Sequence, residues 1–330
     1  MNKTQKIWIA SLVILLILLV LLVIVNANAK KQGDLALIRV ASLQGPTSIG
    51  MIKMIDEKQP ISNIPASYEI VKTPDLLVSK LESNEFDIAC LPVNLAANMY
   101  NKDGEYQLLG VNALNSLYII GNNSDITDIQ GLKGKTINVI NKGATPDVLF
   151  NYLMSKNGIN VDKDITVDYS MQQTELAQAL IADKVKYAVL PEPFVSQVLS
   201  KNPNCKILFD FQNEFNKING QNVDITQGCI VVNKEFASKN KTIVSEFIKQ
   251  YIASIQYVNN NLTEAGTLSE KYSLGVTALT AKTAIPRSNI VYISPKDSRT
   301  SVDNFLKILY DFSPNSIGNK LPDSSFYYNE

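Results

Sequence analysis

The block Leu77 to Pro92 (L-V-S-K-L-E-S-N-E-F-D-I-A-C-L-P) recurs as Leu176 to Pro191 (L-A-Q-A-L-I-A-D-K-V-K-Y-A-V-L-P), an offset of 99 residues from 77 to 176. No other feature of the chain restricts the fold as strongly. Leu77 and Leu81 match Leu176 and Leu180 at helical spacing, and Ala89, Leu91 and Pro92 match Ala188, Leu190 and Pro191. Upstream, Gly45-Pro46-Thr47 answers Gly143-Ala144-Thr145 at an offset of 98, from 45 to 143. Each copy therefore reads as a strand, a G-x-T turn and a helix, then a helix, a strand ending in Leu-Pro, and another helix. Strands alternating with helices imply parallel βαβ units.

Between the copies, Gln107 to Leu114 and Leu117 to Gly121 read as strands flanking Asn115-Ser116. Cys205 to Phe209 and Cys229 to Val232 are further strands after the second copy. The remainder is mostly helical, over 241–261, 262–272, 276–284 and 301–312, with extended Ile290 to Ile293 between. The second copy is thus inserted into the first. The expected fold is α/β, with two similar βαβ lobes joined by two crossover strands and a helical C-terminal part. Residues 36–118 and 226–330 form one lobe and 119–225 the other. Crossings near 115–122 and 222–229 can act as a hinge.

The first 29 residues are a different material. Lys3 and Lys6 precede an apolar run from Ile7 to Val25 broken only by Ser11, and Ala27-Asn28-Ala29 fits a small-x-small cleavage site. The segment is either a cleaved export signal or an uncleaved membrane anchor, and both place the rest of the chain outside the cytoplasm. With 31 basic and 31 acidic residues there is no footprint for nucleic acid. Histidine is absent, which removes Ser-His-Asp and Cys-His catalysis and histidine-based metal sites. No cofactor and no metal are expected. Cys90, Cys205 and Cys229 are too few and too widely spaced for a metal knuckle, and a Cys205–Cys229 bridge is an open alternative. Gly134-Lys135-Thr136 imitates the end of a phosphate-binding loop, but it precedes a strand where such a loop follows one.

Candidate binding residues follow from the repeat. Gln44-Gly45-Pro46-Thr47-Ser48 and Gly143-Ala144-Thr145 should face each other, offering backbone N–H groups and two hydroxyls to polar ligand atoms. Read alone, each is an ordinary helix cap, Thr145 supplying the cap hydroxyl and Pro146 the first helical position. Val93, Asn94 and Glu192 follow the matched strand ends, where open α/β sheets gather ligands. Glu192 either accepts from a ligand amine or amide or faces the start of the next helix. Asn115 and Ser116 in one crossing and Gln227 in the other contact ligand or satisfy hinge backbone. Tyr106, Tyr118, Tyr169 and Tyr187 are candidates for stacking, and Lys142 reads as a solvated lysine.

Taken together, Q-G-P-T-S-I-G-M, D-I-A-C-L-P-V-N, D-I-x-G-L-K-G-K-T, N-K-G-A-T-P-D, A-Q-A-L-I-A-D-K-V and L-P-E-P-F resemble the substrate-binding proteins of bacterial ABC importers. The branch they are most similar to is the one for nitrate, sulfonate, taurine and bicarbonate, related to pyrimidine-binding proteins. The resemblance spans residues 36 to 312. It implies a type II periplasmic-binding-protein fold, a ligand held between the lobes, and delivery to a membrane permease. Many secreted members of the family carry a lipid-anchoring cysteine near the N-terminus, and none stands here. The expected partners are a small polar solute and an ABC permease, with the protein itself a monomer and no enzyme. The alternative is a membrane-anchored extracellular sensor on the same fold. Only Arg39, Arg287 and Arg299 are arginines, so the solute need not be an anion.

Overall fold

The computed structural model describes residues 36–220 and 224–329. The apolar run of Ile7 to Val25 lies outside them. In chain order come β1 (Ile38–Leu43), α1 (Pro46–Gly50), α2 (Ile52–Glu57), β2 (Ala66–Val71), α3 (Pro74–Glu82), β3 (Ile88–Pro92), α4 (Val93–Lys102) and β4 (Tyr106–Ala113). The chain then builds β5 (Leu117–Asn122), β6 (Thr136–Val139), α5 (Thr145–Lys156), β7 (Thr166–Asp168), α6 (Gln173–Ile181), β8 (Tyr187–Pro191), α7 (Phe194–Lys201), β9 (Cys205–Asp210) and α8 (Phe211–Asn219). It returns through β10 (Gly228–Asn233) to α9 (Lys234–Lys239), α10 (Lys241–Asn260), α11 (Leu262–Lys271), α12 (Ala281–Arg287), β11 (Ile290–Ile293) and α13 (Pro295–Phe312).

Two sheets result, ordered β11-β4-β10-β3-β1-β2 and β7-β6-β8-β5-β9. They share one plan. In the first, β1 runs parallel to β2 and β3, and β10 is antiparallel to β3 and β4. In the second, β6 runs parallel to β7 and β8, and β5 is antiparallel to β8 and β9. In each sheet the strand that enters from a crossing, β10 or β5, runs antiparallel to both its neighbours, and in the first sheet the edge strand β11 is antiparallel to β4 as well. The central strands β3, β5 and β8 are buried apart from the half-buried Pro92 at the end of β3, as sheets covered on both faces require. This is the α/β, two-lobed plan expected from the repeat.

Aromatic residues tie the layers together. Phe305 on α13 is fully buried and lies 6.4 Å from Phe215 on α8, centroid to centroid. Phe312 meets Tyr152 on α5 edge-on at 5.5 Å. The last long helix of the first sheet's half thus packs against helices of the second.

Local departures from the sequence reading have physical causes. The helix expected through Ile55 breaks at Met51, whose φ of −98° and ψ of 2° separate α1 from α2. α8 was unassigned because F-Q-N-E-F-N-K-I-N is rich in asparagine, a poor helix former, although Phe211 and Phe215 are both buried. The Asp210 carboxylate caps it by accepting from the N–H groups of Gln212 and Asn213, at 2.8 and 3.4 Å. β7 is only three residues long and gave no periodic signal. α12 starts at Ala281 rather than 276 because the Thr280 hydroxyl accepts from Thr277 N at 3.1 Å and holds a turn there. α13 starts at Pro295 because the Ser294 hydroxyl accepts from Asp297 N at 3.1 Å. The Cys205–Cys229 alternative fails: both are buried free thiols, on β9 and β10 of different sheets.

Candidate functional site

The two Leu-Pro strand ends meet the two crossings in the same way. Pro92 pairs with Gly228, and Pro191 pairs with Leu117. Val93 N donates to Gln227 O at 3.1 Å, and Glu192 N donates to Ser116 O at 2.8 Å. The crossings are then knitted to each other. Gln227 Oε1 accepts from Ser116 N at 2.9 Å and from Ser116 Oγ at 3.2 Å. Asn115 serves the junction as well: its Oδ1 accepts from Leu117 N, and its Nδ2 donates to Asp210 Oδ1 at 3.1 Å. Asn289, after α12, completes this knot by donating to Asn115 O at 2.5 Å.

A cavity of about 100 Å³ opens at this junction. The first sheet's half contributes Leu43, Gln44, Gly45, Pro46, Thr47, Pro74, Pro92 and Ala113 to its wall. The crossings contribute Ser116, Gln227 and Gly228, and the second half Ile140, Asn141, Ala144, Thr145, Pro146, Gln173, Pro191, Glu192 and Phe194. Mostly apolar walls with a few convergent polar groups are what small-molecule sites look like. A more open depression of about 840 Å³ lies at the other end of the first sheet, around the Arg39–Asp87 ion pair. It is walled largely by surface charge and touches neither G-x-T turn, so the smaller cavity is the candidate site.

The G-x-T turns do not cap their helices as expected. Gly45 is the N-cap of α1 with φ of 130°, a conformation that favours glycine although nothing crowds its missing Cβ. Ala144 is the N-cap of α5, making Thr145 and Pro146 its first two residues. The Thr145 hydroxyl therefore points elsewhere, donating to Asn94 Oδ1 at 2.6 Å with both side chains buried. Asn94 is the second residue of α4, directly after β3 of the first sheet, so this bond joins the two halves. The Thr47 hydroxyl donates to Leu43 O at 2.7 Å and accepts from Ser42 Oγ at 3.3 Å. Gly143 N donates to Asp147 Oδ2 at 2.7 Å, which fixes the loop ahead of α5. Gly228 sits where no side chain fits: a Cβ would stand 2.6 Å from Asn112 Oδ1 and 3.1 Å from Thr47 Cγ2.

Glu192 dominates the electrostatics. It is fully buried, and its carboxylate accepts from Ser196 N at 3.0 Å and Ser196 Oγ at 2.9 Å, securing the start of α7. The bonds to Ser196 are those of the helix-start reading, and the residue also lines the cavity. Loss of water raises its pKa to about 7, against the lowering effects of Ser196 and of Arg287. Arg287 on α12 brings Nη1 to 3.8 Å from Glu192 Oε1.

Of the expected residues, Gln44, Gly45, Pro46, Thr47, Ser116, Ala144, Thr145, Glu192 and Gln227 come together around the cavity. Ser48, Val93, Asn94, Asn115 and Gly143 stand close to lining residues in the chain but are not part of the wall. Tyr106 and Tyr187 lie at the ends of β4 and β8 remote from the cavity, Tyr118 and Tyr169 are also outside its wall, and Lys142 is exposed near the Tyr169 ring. Sequence reasoning missed Pro74 and Gln173, which face each other from the starts of α3 and α6. The same offset of 99, from 74 to 173, would have found them. Arg287 and Gly228 had no such signal. Among the described residues no group of His, Cys, Asp or Glu could hold a metal ion.

The profile described as "ABC transporter, phosphonate, periplasmic substrate-binding protein" matches residues 58–251. No curated protein is similar in sequence. An ABC transporter structure from Parabacteroides distasonis is 25% identical, covers 89% of this chain and 99% of its own, and superposes with a TM-score of 0.74. The periplasmic aliphatic sulphonate binding protein of Escherichia coli is 14% identical over 89% of this chain and 92% of its own, with a TM-score of 0.70. The alkanesulfonate-binding protein of Xanthomonas axonopodis, bound to MOPS, is 14% identical over 87% and 95%, with a TM-score of 0.61.

Proposed function

Because the chain belongs to the periplasmic substrate-binding proteins of ABC transporters, we propose that it captures its solute in the cavity between the two sheets, without chemistry. As a member of that family it is extracytoplasmic, and its partners are a small solute and a permease. The observation that supports this location is the wall itself: two repeat-related turns, one from each half, enclose the cavity together with both crossings. Contacts to Gln44, Thr47, Ser116, Gln227, Thr145 and Glu192 would be made to both halves at once only when they are close. A solute with such differential contacts shifts the protein toward the closed form. The halves are residues 36–118 with 226–330, and 119–225, and the protein acts as a monomer. The segment from Ile7 to Val25 exports it or holds it at the membrane, Lys3 and Lys6 supplying the inner charge. Among the described residues no helix is long and apolar enough to cross a membrane.

The test is a thermal-shift screen of the purified protein against small polar solutes, repeated with Gln173→Trp. Gln173 is half-buried, at the first position of α6 and in the cavity wall, which makes it the position to enlarge in order to obstruct the cavity. A solute that raises the melting temperature of the native protein and not of the variant is the expected result. Equal shifts in both would place the site elsewhere.

A further inference from the structure

Glu192 is the one charged residue lining the cavity among the described residues. Ser196 holds its two oxygens from the α7 side, and each carboxylate oxygen keeps a further lone pair that these bonds do not use. Two other groups face it. Arg287 reaches it from α12 at 3.8 Å, beyond hydrogen-bond distance, and is 40% exposed, so water screens its charge. Tyr118 on β5 comes close as a phenol, its hydroxyl donating to Arg287 O at 3.5 Å. The cavity wall itself supplies no cation, and Lys142 lies outside it over Tyr169. Above pH 7, where Glu192 is ionised, a sulfonate or doubly ionised phosphonate seated here would meet a carboxylate in a nearly dry space, with Arg287 behind the wall as the one cation near it.

Resting on the assignment of the cavity as the solute site, we infer that the solute is a small nitrogenous molecule, uncharged or cationic, that presents an N–H to Glu192. Glu192 is then the specificity-determining residue, and it rejects fully ionised oxyanions of the kind named for related proteins. An amine, amidine or aminated heterocycle satisfies the carboxylate as donor, while the prolines at 46, 74, 92, 146 and 191 and Phe194 cover an apolar body. For a cationic solute the ionised carboxylate is the binding form. With its pKa near 7, affinity should rise about tenfold between pH 6 and pH 8 and level off above.

The experiment is isothermal titration of the purified protein at pH 6 and pH 8. One arm uses methanesulfonate and methylphosphonate; the other uses guanidinium, ethanolamine, cytosine and 4-aminopyrimidine. Binding of a nitrogenous probe, weakened at least tenfold by Glu192→Gln with the pH dependence flattened, supports the inference. The pH profile of the native protein carries the test if the variant fails to fold. Binding of either oxyanion that Gln173→Trp abolishes would overturn the inference and leave the cavity standing as the site. Binding that Gln173→Trp does not touch would remove the site and the inference with it.

Discussion

Replacing Glu192 with glutamine should change how stability depends on pH, in the absence of any solute. An ordinary glutamate side chain titrates near 4.5, and the folded protein raises Glu192 to about 7 because the carboxylate is buried. The native state therefore binds this proton more tightly than the unfolded chain does. Stability contributed by the protonated group is fully present below pH 4.5, declines as pH rises, and is lost above pH 7. The shift between those values corresponds to about 3 kcal/mol, at roughly 1.4 kcal/mol per unit. Urea unfolding followed by circular dichroism at intervals from pH 4 to pH 8 measures it. Other titrating groups, including the buried Asp210, are common to both proteins and cancel in the difference. Glu192→Gln should gain about 3 kcal/mol relative to the native protein between the two ends of the range. A difference that stays constant with pH would refute the burial argument and, with it, the electrostatic picture of the cavity.

Other substitutions probe the junction and the core. Thr145→Val leaves Asn94 Oδ1 buried without its donor and should cost about 1–3 kcal/mol in a thermal or urea melt, whereas Thr145→Ser should cost less. Gly228→Ala forces a methyl against Asn112 and Thr47 and should destabilise by about 1–3 kcal/mol while weakening solute binding by displacing the cavity floor. Phe305→Ala removes a fully buried ring where α13 meets α8 and should cost about 3–5 kcal/mol. A loss below 1 kcal/mol would mean that this contact does not hold the halves together.

The layered plan was legible because it is written twice. Leucines at helical spacing, the Leu-Pro strand ends and the G-x-T turns repeat in one order, so element type and sequence could be read from local pattern. The same repeat placed the two turns around one cavity, and carried further it points to Pro74 and Gln173. What stayed hidden depends on distant partners. Thr145 has the sequence of a cap, yet its hydroxyl is taken by Asn94, which lies 51 positions away in the chain. Asn115 read equally as a ligand contact or as hinge support, and only its distant partner Asp210, together with Leu117, shows the bonds it makes at the crossing. Arg287 lies on a helix outside both copies and reaches Glu192 only through the packing of α12 on α7. Gly228 gave no sign of its role because the crowding comes from Asn112 and Thr47 on other elements.

The central claim is that the solute sits between the two G-x-T turns. A crystal structure of the protein with the tightest-binding member of the solute panel tests it most directly. The account predicts one solute enclosed at the junction, within hydrogen-bond distance of Glu192 and of groups from both halves among Gln44, Thr47, Ser116, Gln227 and Thr145. A solute resting instead in the depression around Arg39 and Asp87, with the junction unchanged, would contradict it.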